Sequence, residues 1–198
     1  PLYRDIAATL RLSQPAGDII LLASPNASVG ISYYGRFLAL GTLFWENAPG
    51  LRAAAEIYSA AGDDEALALL RNRRVTHLAM VPSANFLGEY FRLLHPHSTP
   101  ADATKTFGYR LAAGLSLPRW LRPVPYRSPV ELRDAIGIVR LYQVAPAQSD
   151  VEWRYHSAIA ELANGDVSAA ELSLEAAVSR APAAERFALR EAGGAAFY

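Results

Sequence analysis

The sequence predicts an α/β chain: a Rossmann-like three-layer domain with a mainly parallel sheet, followed by a small α-helical segment. Three observations lead there. Ile19–Ala23 (IILLA), Phe37–Leu40 (FLAL) and Leu78–Val81 (LAMV) are unbroken apolar runs with no polar alternation, as expected of strands covered on both faces. Each ends in turn chemistry, at Ser24-Pro25-Asn26, Gly41-Thr42 and Pro82-Ser83. Helical spacing separates them, so crossover connections make the three runs parallel neighbours.

The elements follow in order. Leu2–Leu12 carries Leu2, Ile6 and Leu10 at helical spacing and reads as a lead-in helix. After the first strand, Asn26–Gly35 reads as a short helix. Leu51–Ala60 follows Pro49-Gly50, a helix start. Gly62-Asp63-Asp64-Glu65 opens the next helix, with Asp63 as a cap and Arg71, Arg73 and Arg74 at its end, the charge order that suits the helix dipole. Leu67, Leu70 and Val75 then face the sheet. Asn85–Leu94 is amphipathic, with Phe86, Tyr90, Phe91 and Leu94 inward, and Ala101–Leu115 continues as helix with Phe107 and Leu111 inward. Leu117–Pro129 holds four prolines, which exclude helix and central strand. It is expected to lie extended, anchored by Trp120. Val130–Ala135 resumes as helix, and Gly137–Val144 is a closing strand, at an edge and antiparallel.

Ala145–Asp150 is a linker, so the α/β domain spans 1–146 and the helical segment 147–198. Val151–Pro182 has Ala158, a Gly165-Asp166 turn, then Ala170, Leu174, Ala177 and Pro182. Small residues where helices touch, a Gly turn and a terminating Pro resemble one tetratricopeptide unit, with Trp153 near the expected aromatic position. One unit cannot bury its own face, so Ala184–Ala192 is expected to cap it. A plain helical hairpin accounts for the same spacing.

Composition narrows the function classes. Of 198 residues, 52% are apolar, which excludes a disordered chain. Lys plus Arg equals Asp plus Glu at 19 each, leaving no basic surplus for nucleic acid. Lys105 is the one lysine, and a chain rich in Arg and Ala suggests a GC-rich bacterial genome. There is no Cys, hence no disulfide, thiol nucleophile or Cys zinc site. No run reaches the ~18 apolar residues that span a bilayer, and no signal peptide is visible. The chain begins at Pro1 rather than Met, as a segment cut from a longer protein would.

No dinucleotide fingerprint follows the first strand: Gly30 and Gly35 are misplaced, and Pro25 stands where a glycine is needed. There is no P-loop and no G-x-S-x-G, and His95-Pro96-His97 lacks further ligands for a metal. Binding groups on such sheets gather beyond the C-terminal ends of the strands. Those positions hold Asn26, Trp45, Glu46, Asn47, Ser83 and Asn85, an aromatic, amide and acid set suited to sugars. The plainer reading makes Phe44 and Trp45 a plug for the sheet edge and Asn47 a cap for the next helix.

ILLASPN, YYGR, FWEN-APGL, DDEALALLRNRRVTHLAMVPS and PRWLRPVP before RLYQV occur in this order. Together they resemble the soluble C-terminal domain of bacterial integral-membrane glycosyltransferases of the GT-C class, the oligosaccharyltransferase-like and dolichyl-phosphate-mannose mannosyltransferase-like proteins, over Leu2–Val144. The resemblance implies an extracytoplasmic (periplasmic) domain that helps bind a glycan or protein acceptor. It implies a membrane-embedded remainder of the same chain, which holds the catalytic acids, uses a lipid-phosphate-linked sugar and takes a divalent metal. No catalytic residue and no cofactor then fall in the present residues. The WWDYG acceptor motif of oligosaccharyltransferases is absent, with Trp45-Glu46-Asn47 its faint echo. A stand-alone interaction module built on the helical hairpin, or a small Rossmann-like enzyme, remains the alternative.

Overall fold

The structure is a computed structural model and describes residues 1–82, 85–131 and 137–197. By contacts the chain divides into two compact units, Pro1–Pro118 and Arg119–Tyr198. The compositional shift at 146/147 falls inside the second.

In the first unit the order is α1 (Leu2–Ser13), β1 (Ile20–Ala23), α2 (Pro25–Gly35), β2 (Leu38–Leu40), a single 3-10 turn (Trp45–Asn47), α3 (Ala48–Ser59), α4 (Asp63–Asn72), β3 (His77–Met80), α5 (Phe86–Leu94), α6 (Pro100–Ala103) and α7 (Phe107–Ala112). The strand order is β2-β1-β3, all parallel. Leu21 pairs with Ala39 on one side and His77 on the other. The parallel assignment of the three apolar runs therefore holds, and β1 and β3 are buried as their composition demands. β2 departs from it. Only three residues long, with β1 as its partner in this unit, it leaves Leu38 64% exposed.

Packing follows side-chain size. Ile6 and Leu10 of α1 are fully buried. Gly30 in α2 gives the space that the Tyr3 ring occupies, where any Cβ would collide with it. In α3, Ala53, Ala54 and Ala55 are buried, so small residues let this helix lie close to the turn after β2. A Cβ at Gly41 would lie 2.7 Å from the Ala54 Cβ, and Gly41 also has a φ of +75°. Only glycine meets both demands without strain.

Two expectations need correction. Asp63 does not cap α4. Gly62 holds that position, Asp63 is the first helical residue, and its carboxylate takes the Arg110 guanidinium of α7 instead. Glu65 accepts from the Ala61 amide at 2.9 Å and satisfies that donor from within the turn. The helix expected over Ala101–Leu115 is two helices. The Thr104 and Thr106 hydroxyls donate to the Ala101 and Ala103 carbonyls, both at 2.8 Å, drawing off acceptors a continuous helix needs. Phe107 and Leu111 are buried as expected.

The second unit contains β4 (Leu121–Val124), β5 (Arg140–Val144), α8 (Asp150–Ala163), α9 (Val167–Arg180) and α10 (Ala183–Phe197). β4 and β5 are antiparallel, with Pro123 opposite Tyr142. The described strands are thus mixed in direction, three parallel and two antiparallel, and the expected mainly parallel sheet is corrected to that extent. The proline-rich segment is extended, with Trp120 only 9% exposed. β4 packs on α8, which is why this hairpin groups with the helices. The helix expected over Val130–Ala135 lies mostly outside the described residues.

α8 starts at a capping box: Ser149 Oγ accepts from the Glu152 amide, and Glu152 Oε2 accepts from the Ser149 amide at 2.7 Å. Gly165 turns the chain with a φ of +85°, and Asp166 caps α9 through the Ala169 amide at 3.1 Å. Ala158, Ala170 and Ala177 are buried where α8 and α9 meet, at the small-residue positions read from the sequence. The expected capping helix lies within α10, which sets Gly193 against the Leu174 side chain.

Candidate functional site

The three parallel strands of the first unit end at one side, and the sequence-selected residues leave from those ends. The buried Ser28 hydroxyl ties two ends together, lying 3.2 Å from the Ala23 carbonyl and 3.3 Å from the Leu40 carbonyl. Asn26 follows β1 as the second residue of α2 and is exposed. The segment 41–47 follows β2. Its 3-10 turn places the backbones of Trp45, Glu46 and Asn47, and Glu46 is exposed. Asn85 follows β3, just ahead of α5. Ser83 lies outside the described residues.

The roles differ from the plain reading. Phe44 is 61% exposed and Leu43 57%, so Phe44 does not plug a sheet edge. Asn47 makes no cap bond. Its side-chain amide donates to Thr42 Oγ1 at 2.7 Å, and its Oδ1 occupies the space that Gly50 leaves by having no Cβ. Asn47 therefore shapes the loop that carries Glu46 and Phe44. Asn85 accepts from the Tyr109 hydroxyl at 3.2 Å and is engaged with α7. Its side chain also fills the space beside Gly88.

Two tyrosines beneath this loop have a feature that helical spacing does not reveal. Tyr58 and Tyr90 stack at 6.2 Å, and Phe86 meets both edge-on. Both hydroxyls are buried, with no hydrogen-bond partner among the described residues. Burial drives both phenols upward, and each would be neutral at any physiological pH. The Tyr90 hydroxyl lies 3.5 Å from the position of a Cβ on Gly41, directly under the turn after β2. Helical spacing places Tyr90 inward but is silent on where its hydroxyl points.

His77 is the other titratable group that sequence reasoning misses. It is fully buried in β3, with Nδ1 3.0 Å from Thr76 Oγ1 and Nε2 3.3 Å from Ser13 Oγ. Desolvation, aided by the Arg11 charge, lowers its pKa to about 4. The position is a strand residue far in sequence from Ser13, so spacing alone could not reveal it. His95 and His97 are exposed, and the His95 ring lies tilted at 39° against Phe91, 4.8 Å away. Among the described residues no three His, Asp or Glu side chains are grouped to hold a metal. No helix among them is long and apolar enough to cross a membrane.

The strand-end loops thus present an exposed aromatic face, an exposed carboxylate and an exposed amide. Such a set can stack on an apolar ring face and hydrogen-bond hydroxyl or amide groups. Among its described residues no nucleophile and base are assembled.

No protein-family model matches the chain, and no curated protein matches it. Among solved structures, the fold is similar to the C-terminal globular domain of an oligosaccharyltransferase (AfAglB-S2) from Archaeoglobus fulgidus. The TM-score is 0.51 at 16% sequence identity, over 71% of this chain and 95% of that one.

Proposed function

We propose that this chain is the soluble, non-catalytic domain of a membrane glycosylation enzyme and that the loops at its strand ends contact the acceptor or glycan. The observation that carries the reading is the display of exposed Phe44, Glu46 and Asn26 at one end of three parallel strands. Its support is a fold similar to a globular domain of an oligosaccharyltransferase. In this reading the first unit is Rossmann-like in plan, its partner is a membrane-embedded remainder of the same bacterial chain, and it works on the extracytoplasmic, periplasmic side. The remainder performs transfer from a lipid-phosphate-linked sugar, with a divalent metal. Asn47 and Asn85 then act as loop-shaping residues, and Trp45 and Ser83 complete the contact set. Binding of the 198-residue chain to arrayed oligosaccharides and acceptor peptides tests this. Binding lost in Phe44→Ala and Glu46→Gln supports it, whereas binding that both variants retain removes the loop site.

A second reading rests on the second unit. Phe187 is 70% exposed and Leu172 69%. A cleft of about 370 Å³ lies between α9 and α10, floored by Leu174 and Val178 and flanked by Arg186 and Arg190. That surface would suit docking of a partner protein through the helices. A pull-down abolished by Phe187→Ser with the fold intact would favour it.

A further inference from the structure

We propose that the second unit carries a phosphate-binding site formed by Arg119, Arg154 and Arg180 around Asp150. Three separate segments supply these guanidinium groups: the approach to β4, helix α8 and the last turn of α9. All three lie within ion-pair distance of one carboxylate: Arg119 is 3.2 Å from Oδ1, Arg154 and Arg180 are 2.9 Å and 3.2 Å from Oδ2, and among the described residues only Arg154 makes a hydrogen bond to it. Three cations on one anion leave a formal surplus of two positive charges. Glu152 nearby accepts from the Ser149 amide and also feels the Arg122 charge, so it is not one of the carboxylates paired with these three arginines.

The surplus is held in place and accessible. Gln148 donates to the Arg119 main-chain carbonyl and accepts from Arg122 Nε at 3.2 Å, so one side chain ties the backbone ahead of β4 to the Arg122 side chain. Arg154 is mostly buried, at 23% exposure, and its Nε is committed to Asp150 Oδ2. Arg119 and Arg180 are 71% and 50% exposed and reach Asp150 from outside. One carboxylate cannot satisfy the donors of three guanidinium forks. A tetrahedral phosphate offers several oxygens and matches the fork geometry of arginine, which favours it over a second carboxylate. Asp150 then serves as the resident counter-ion that keeps the arginines gathered when the ligand is absent.

Phosphate could arrive free or on a lipid headgroup, and the chemistry of recognition is the same. The arginine site is independent of the strand-end loops, so either can fail alone. The test is titration of the 198-residue chain with inorganic phosphate at low salt, followed by amide NMR. Shifts centred on residues 119, 150, 154 and 180 are expected, weakening as salt rises. Arg119→Ala and Arg180→Ala should each weaken binding about tenfold, and Asp150→Asn should strengthen it. Both arginine positions are solvent-facing enough to change without unfolding the unit, and circular dichroism checks this. Co-sedimentation with phosphatidylglycerol vesicles but not phosphatidylcholine vesicles, lost in the arginine variants, identifies a lipid phosphate. Phosphate binding without vesicle binding identifies a soluble one. Absence of localised shifts, or shifts unchanged in both arginine variants, overturns the proposal and leaves the cluster a purely structural ion-pair hub.

Discussion

The Asn47 side-chain amide donates a 2.7 Å hydrogen bond to the Thr42 hydroxyl and closes the loop that leaves β2. The bond is local, five residues apart, yet it decides the path of the segment bearing Phe44 and Glu46. Asn47→Ala removes the donor and leaves the loop unpinned. The expected cost is about 1 kcal/mol, read as a lower urea midpoint. Hydrogen exchange should rise within residues 42–47 and stay unchanged in β1.

His77 makes the fold acid-sensitive. Its pKa is about 4 when folded and about 6.5 when unfolded, because burial disfavours the charged ring. Below pH 6.5 the unfolded chain takes up a proton that the folded chain refuses. The stabilisation is therefore complete above about pH 6.5 and is lost as the pH falls through about 4, up to about 3 kcal/mol. Urea midpoints measured from pH 7.5 to 4 check it, and His77→Gln should flatten this part of the profile.

Two backbone positions with positive φ should respond in opposite directions. Arg36 ends α2 at a φ of +53°, a left-handed conformation that favours glycine. Arg36→Gly should raise stability by about 1 kcal/mol. Gly41→Ala meets both strain and the Ala54 methyl, so a loss of about 2 kcal/mol is expected. Thermal melts of the two variants decide this pair.

The Tyr58 hydroxyl is buried without a partner among the described residues. Tyr58→Phe removes a desolvated polar atom and keeps the ring stack. Stability should stay level or rise by up to about 1 kcal/mol. A clear loss in the melting curve would mean that the hydroxyl is satisfied by a group such as an internal water.

The parallel core is readable because β1 and β3 are apolar on both faces, a pattern that half-exposed antiparallel strands do not produce. The helical hairpin is readable on different grounds: Ala158, Ala170 and Ala177 mark close contact, and Gly165 marks the turn. Long-range polar partners are not readable. Asp63 has the local signature of a cap, yet its guanidinium partner Arg110 lies 47 residues away. The break between α6 and α7 is hidden because threonine hydroxyls compete with a helix without interrupting its apolar spacing. At the candidate site, the loop positions of Asn26, Glu46 and Asn85 follow from strand ends alone. The exposure of Phe44 and the tyrosine hydroxyl under Gly41 do not, since both depend on how α3 and α5 pack.

The most direct measurement is an amide NMR titration of the 198-residue chain with oligosaccharides and acceptor peptides that bind on the array. Contact by the strand-end loops predicts saturable shifts confined to residues near 26, 42–47 and 85, absent in the Phe44→Ala and Glu46→Gln double variant. Saturable shifts located elsewhere, or identical in that variant, would contradict the account.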